Sequence, residues 1–211
     1  MFGFTFRAPE ALVRPLLPAP LELLTQGGFG FWHVSFSEYE RLRTGFFGGK
    51  TRGHVVVYSL YARSGSTVGL FPVRAETDIE RLASWSDFPC ARSTFSVEDD
   101  HAGTVDLFIL ETQYPVQVRI DTRRKPRLTD GSPFGSLSEA AQFLQTPACY
   151  LGVDSEGEVQ LSSLERKPAS TTTRLFSISI SQWSFLTAFE PVAEVAFELK
   201  SHTCRFNTPR A

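Results

Sequence analysis

The chain has 211 residues, 42% of them hydrophobic and 21% charged, a balance that supports one sizeable core and argues against disorder. A formal net charge of -2 excludes a strongly basic chain, so nothing in the composition suggests nucleic acid or an anionic membrane as partner. Cys90, Cys149 and Cys204 stand far apart with no CxxC pair, so free thiols in a reducing cytoplasm are expected.

Met1 to Leu24 is interrupted by Arg7, Glu10, Arg14 and several prolines, leaving no apolar run of signal-peptide or membrane-span length. Within it, Ala8 to Leu17 is expected to form a short helix. Pro9 suits a first turn, Leu12, Val13, Leu16 and Leu17 give an apolar face, and Pro15 and Pro18 limit the length. Gly27 and Gly28 then turn the chain into an aromatic strand, Phe29 to Phe36. His54 to Ala62, rich in valine and tyrosine, reads as a stronger strand. Thr77 and Glu80 have capping-box spacing, which predicts a helix over Thr77 to Trp85.

Phe95 to Glu98, Val105 to Leu110 and Val116 to Ile120 follow as strands, the last with Val116, Val118 and Ile120 opposing Gln117 and Arg119. Lys125 to Ser136 is a loop by its proline, glycine and polar content. Ser136 and Glu139 make a second capping box ahead of Ala140, Phe143 and Leu144. Tyr150 to Val153 and Val159 to Leu161 flank a turn and read as a hairpin. Phe176, Ile178 and Ile180 alternate with serines, and Val195 to Phe206 alternates again. The sum is a β-rich α+β domain spanning residues 1–211, with few short helices and no internal repeat. The 19 phenylalanines need burial, so an aromatic core or a ring-lined cavity is expected.

Three segments in order carry a family resemblance: FRAPEALVRPLLPAPLEL at Phe6 to Leu23, the Tyr58-Ser59-Leu60 stretch inside a strand, and DFPCA at Asp87 to Ala91 after a helix. They resemble the opening "PEALRALLPPGLEL" stretch, the "Y-x-E" strand and the "G-[FY]-P-K-K" motif of the acetoacetate decarboxylase-like family, across the first half of the chain. Tyr58 to Ala62 is also similar to the "F-S-L-x-A" strand of that family's uncharacterised bacterial relatives. The resemblance implies a curved or closed antiparallel sheet, barrel-like, around a central cavity, and an assembly of more than one copy.

Carried over residue by residue, the Schiff-base lysine falls on Cys90 and the second lysine on Ala91. One glutamate falls on Leu60, the other on Phe31 or Trp32, and the upstream arginine would precede Met1. Every carried position is uncharged. A ketone becomes an electron sink when a neutral lysine converts it to an iminium, and acetoacetate decarboxylase itself exemplifies how a lysine is kept neutral. A thiol adds to a carbonyl but forms no iminium, so imine chemistry would need Lys50, Lys125, Lys167 or Lys200 to reach the pocket.

Phe31, Trp32, Tyr58, Leu60 and Cys90 are therefore the candidate ligand-binding residues, forming an apolar, aromatic pocket with a polar handle at the Tyr58 hydroxyl. The competing reading is that these rings are core. Cys90 is also a candidate nucleophile, although free cysteine is among the most buried residue types. Lys200, in a polar stripe with Glu198 and His202, is the spare amine for an imine, against a solvated outer face. His33 should face away from Trp32 by alternation, and His54 and His101 should be exposed beside turns. No metal-ligand spacing, P-loop, GxGxxG or GxSxG is present, so neither metal nor cofactor is expected. The expected function is binding of a small, largely apolar metabolite, with no nucleic-acid or membrane partner. The alternative is a divergent lyase- or hydrolase-type enzyme for a small carbonyl or carboxylate compound, using Cys90 or a displaced lysine.

Overall fold

A computed structural model describes residues 1–43, 50–83, 89–99, 104–121, 123–144, 149–167, 173–199 and 203–207. Backbone pairing between strands organises them. In chain order the elements are β1 (Phe2–Pro9), α1 (Glu10–Val13), β2 (Glu22–Leu23), β3 (Thr25–Gln26), β4 (Phe29–Arg43), β5 (Lys50–Ser64), β6 (Thr67–Thr77) and α2 (Glu80–Ala83). β7 (Cys90–Arg92), β8 (Thr94–Asp99), β9 (Thr104–Leu110), β10 (Val116–Asp121) and α3 (Leu137–Phe143) follow. The last are β11 (Cys149–Val153), β12 (Val159–Lys167), β13 (Thr173–Trp183), β14 (Val192–Leu199) and β15 (Thr203–Asn207).

The strands pair in the order β15-β12-β11-β6-β5-β4-β1-β14-β13-β10-β9-β8, with β2, β3 and β7 attached to β5, β4 and β6. β8 and β15 remain at opposite ends of this path, so among the described residues the sheet is not closed on itself; of the expected curved or closed barrel-like sheet, the closed form is not found. β6 also pairs in parallel with β7 and β11, so the sheet is mixed rather than purely antiparallel. No helix among the described residues is long and apolar enough to cross a membrane.

The register gives the sheet two covered faces. Phe6 pairs with Trp32 and Trp32 with Leu60; Phe4 pairs with Val34 and Val34 with Tyr58. These residues share an inner face, and the curved sheet folds Leu107, Ile109, Val118 and Ile120 of β9 and β10 over them into one core. The outer face carries Phe31, Tyr61 and Val195, covered by Phe134, Ala140 and Leu144 from the 125–136 loop and α3. β1 is buried on both faces from Gly3 to Ala8.

Local signals account for the helices. Ser136 caps α3, its Oγ accepting from the Glu139 backbone N–H at 3.1 Å, as the capping box predicts. The first helix is shorter than expected. Ala8 and Pro9 stay in β1, Glu10–Val13 is α-helical, and Arg14–Leu16 tightens into a 3-10 turn around Pro15. Thr77 ends β6 rather than capping at Glu80; its Oγ accepts from the Ile79 N–H at 3.0 Å. α2 spans Glu80–Ala83, and residues 84–88 lie outside the described residues.

Candidate functional site

The inner face gathers aromatic rings at one place. Trp32, Tyr58 and Leu60 form its floor, brought together by the β4–β5 register and fully buried. The connection from β13 to β14 closes over them with Phe185 and Phe189. Phe185 stands 5.0 Å from Tyr58 and 5.9 Å from Trp32, ring centre to ring centre, and Phe189 is 5.1 Å from Trp32. Trp183 lies 6.1 Å from Tyr58, edge to face.

A β-bulge adds charge to this apolar setting. Ser59 pairs with Pro72, yet its neighbour Tyr58 pairs with Arg74, so Val73 is an extra residue in β6. Proline cannot donate to the ladder, which suits Pro72 to such an irregular point. Beyond the bulge Arg74 stands opposite Tyr58 and Glu76 opposite Val56, both on the inner face. Glu76 is fully buried and accepts from Thr112 Oγ1 at 2.6 Å, from Arg74 Nε at 3.3 Å and from the Ser93 hydroxyl. The Arg74 guanidinium lies over the Tyr114 ring, 4.6 Å from its centre.

Three buried donors of these rings have no hydrogen-bond partner among the described residues: Tyr58 Oη, Trp32 Nε1 and Trp183 Nε1. Burial pushes the Tyr58 phenol far above its ordinary pKa, and the Glu76 charge adds to the rise while Arg74 opposes it. Tyr58 is therefore a neutral O–H donor throughout the physiological range.

The structure brings Trp32, Tyr58 and Leu60 together but separates the other sequence candidates from them. Phe31 faces outward and packs 5.6 Å from Phe134 and 5.5 Å from Phe143. Cys90 opens β7, which runs parallel to β6 with Cys90 opposite Ala75 and Ala91 opposite Glu76. Opposed residues share a face, so the half-buried Cys90 thiol lies on the side of the sheet away from Glu76 and Tyr58. Lys200 and His202 lie outside the described residues, as does His101. Lys125 is exposed, and Lys50 and Lys167 sit at the ends of β5 and β12.

His33 faces away from Trp32 as alternation predicts. It is buried, with Nδ1 3.2 Å from the Tyr61 hydroxyl, which donates to the Leu144 carbonyl at 2.8 Å. His54 is half-buried rather than exposed. Its Nδ1 lies 2.8 Å from Asp78 Oδ2 and its ring stacks 5.5 Å from Phe95. Arg74, Glu76, Ser93, Thr112 and Phe185 escape a sequence reading built on the aromatic strands. The available signal is Pro72 within an otherwise strand-like run, which marks the bulge.

Several solved structures share this architecture. The acetoacetate decarboxylase of Legionella pneumophila superposes with a TM-score of 0.56, over 97% of this chain and 83% of that chain, at 12% identity. An acetoacetate decarboxylase-like enzyme from Sphingomonas wittichii RW1 gives 0.54 over 97% and 89%, at 14% identity. The enduracididine biosynthesis enzyme MppR, complexed with pyruvate, gives 0.54 over 96% and 86%, at 13% identity. No family model matches the sequence, and no curated protein is similar to it. At such identities the likeness is one of backbone architecture, and on that ground the chain has an acetoacetate decarboxylase-like fold.

Proposed function

We propose that this protein binds a small, largely apolar metabolite against the aromatic inner face, with a polar group of the ligand at the Tyr58 hydroxyl, and does not perform Schiff-base decarboxylation. The observation that carries the reading is the set of buried donors on Tyr58, Trp32 and Trp183 that meet no acceptor among the described residues. An unmet buried donor costs about 1–3 kcal/mol, a cost that phenylalanine or leucine at the same positions would avoid. An acceptor on a bound molecule would offset it. Cys90 at the position matched to the lysine supports the absence of imine chemistry. The divergent-enzyme reading, acting on a small carbonyl or carboxylate compound through Cys90 or Lys200, has less support, because Cys90 shares a face with Ala75 rather than with Tyr58.

Thermal shift against a panel of small aromatic and aliphatic ketones, acids and esters tests the proposal. A ligand at 100 times its Kd adds about 2.7 kcal/mol to stability. At least one compound is expected to raise the Tm of the wild type and to raise that of Tyr58→Phe less. Without ligand, Tyr58→Phe should be at least as stable as the wild type, since the variant removes an unmet donor. A panel in which no compound moves the Tm removes the reading.

A further inference from the structure

The ring of Phe185 occupies the middle of the site. It comes from a connection between strands, and Phe185 is half-buried where Trp32 and Tyr58 beneath it are fully buried. Tyr114 lies 5.3 Å from its ring and Phe189 5.8 Å, and the Arg74 guanidinium stands 5.8 Å from its centre. Phe185 lies beyond the end of β13, between the Ser184–Pro115 backbone hydrogen bond and the fully buried Leu186, so its side chain can rotate outward while the turn stays anchored and strand pairing is kept. The cost of extracting Phe185 is offset when another aromatic ring takes its place among the same neighbours.

The polar groups around this ring have one character. An indole N–H only donates, and the Tyr58 phenol keeps its proton. Arg74 gives Nε to Glu76, while its two η nitrogens have no hydrogen-bond acceptor among the described residues. A guanidinium has five N–H donors in a planar fork, so one carboxylate at its ε side leaves the η side for a second. Glu76 is also held by Ser93 and Thr112, which fixes the arginine with its η side unoccupied by protein acceptors. The buried, unpartnered donors of Tyr58 and Trp32 and the partly exposed guanidinium of Arg74, gathered around the Phe185 ring, match a flat ligand that brings an anionic acceptor.

We propose that the site takes an arene carboxylate whose ring replaces that of Phe185 between Trp32 and Tyr58, and whose carboxylate lies between the η nitrogens of Arg74 and the Tyr58 hydroxyl. This rests on the binding function proposed above and narrows it to a ligand class and a displaced side chain. No covalent step is involved.

The test is titration calorimetry of Phe185→Ala at pH 7 with benzoate, benzyl alcohol and toluene. An ordinary apolar void takes a neutral ring and rejects a charge. Here Phe185→Ala should bind benzoate at least about ten-fold more tightly than benzyl alcohol, and more tightly than the wild type binds benzoate, since no ring must leave. Adding Arg74→Gln should reverse the order of benzoate and benzyl alcohol. Phe185→Leu carries the same comparison if the alanine variant does not fold. Benzyl alcohol or toluene binding as tightly as benzoate, or benzoate binding untouched by Arg74→Gln, would overturn the carboxylate proposal while leaving an apolar binding site in place. Binding of none of the three would remove both.

Discussion

Glu76 is a fully buried carboxylate that accepts from a guanidinium and two hydroxyls. Removing one partner of such a pair leaves the other charge buried and uncompensated, at a cost of about 3–5 kcal/mol, whereas replacing both with apolar groups of similar volume is often near neutral. Arg74→Met, which leaves the fully buried Glu76 without its cation, should therefore lower the urea midpoint strongly, and Glu76→Leu less, since the Arg74 left behind is partly exposed. The double variant should recover much of the loss; additive losses would mean that Ser93 and Thr112, not Arg74, hold the carboxylate. This pair was hidden in the sequence for a physical reason. From Val73 to Glu76 apolar and polar residues alternate, the pattern of a strand with one solvated face, and the side to which Arg74 and Glu76 turn depends on a register shift against β5. The burial of Trp32, Tyr58 and Leu60 was legible because large apolar side chains in uninterrupted strands have one destination, the core.

Elements differ in how far local chemistry fixes them. α3 was readable from Ser136 and Glu139 because a cap is a contact between near neighbours. β1 was not, and its residues were split between an unassigned start and a helix beginning at Ala8. A strand covered on both faces shows no alternation, and the neighbours that bury it, β4 and β14, come from elsewhere in the chain. The outer face of β1 also ties down the 125–136 loop. Arg7 forms a buried ion pair with Glu194 and donates to the Asp130 carbonyl at 2.8 Å, while Ser132 Oγ donates to Glu194 at 2.8 Å. Arg7→Met should cost about 3–5 kcal/mol, for the same reason as at Glu76, and should release the loop. Hydrogen exchange would show this as faster exchange at the Ser132 and Phe134 amides, which hydrogen-bond within the loop. Arg7→Met with Glu194→Leu should restore most of the stability but not the loop protection. Unchanged exchange in Arg7→Met would show that Phe134 and Leu128, packed on the outer core, hold the loop without the ion pair.

At the scale of the whole molecule, the order of three short motifs in the first half pointed to the architecture that the solved structures share. The ends of the sheet were not readable in the same way. Whether β8 and β15 meet depends on curvature accumulated over the strands between them, and no local pattern records that sum. An acetoacetate decarboxylase-like fold does not by itself bring a reactive amine, because activity lives in side chains placed on a fold. Here the residue after Pro89 is a cysteine on the face opposite the aromatic cluster, and the charges near Tyr58 come from Arg74 and Glu76. An amine that forms an iminium must be neutral, which needs burial or a neighbouring cation, and the exposed Lys125 has no such burial. On the binding function proposed above, incubation with pyruvate, acetoacetate or a simple aldehyde, followed by borohydride reduction, should leave the intact mass of the protein unchanged. An adduct of one reduced imine, formed at low concentration and mapped by peptide mass to Lys50, Lys167 or Lys200, would show that a lysine on another strand has taken over the amine role. Loss of that adduct when the same lysine is changed to methionine would establish an enzyme rather than a binding protein as the starting point for this fold.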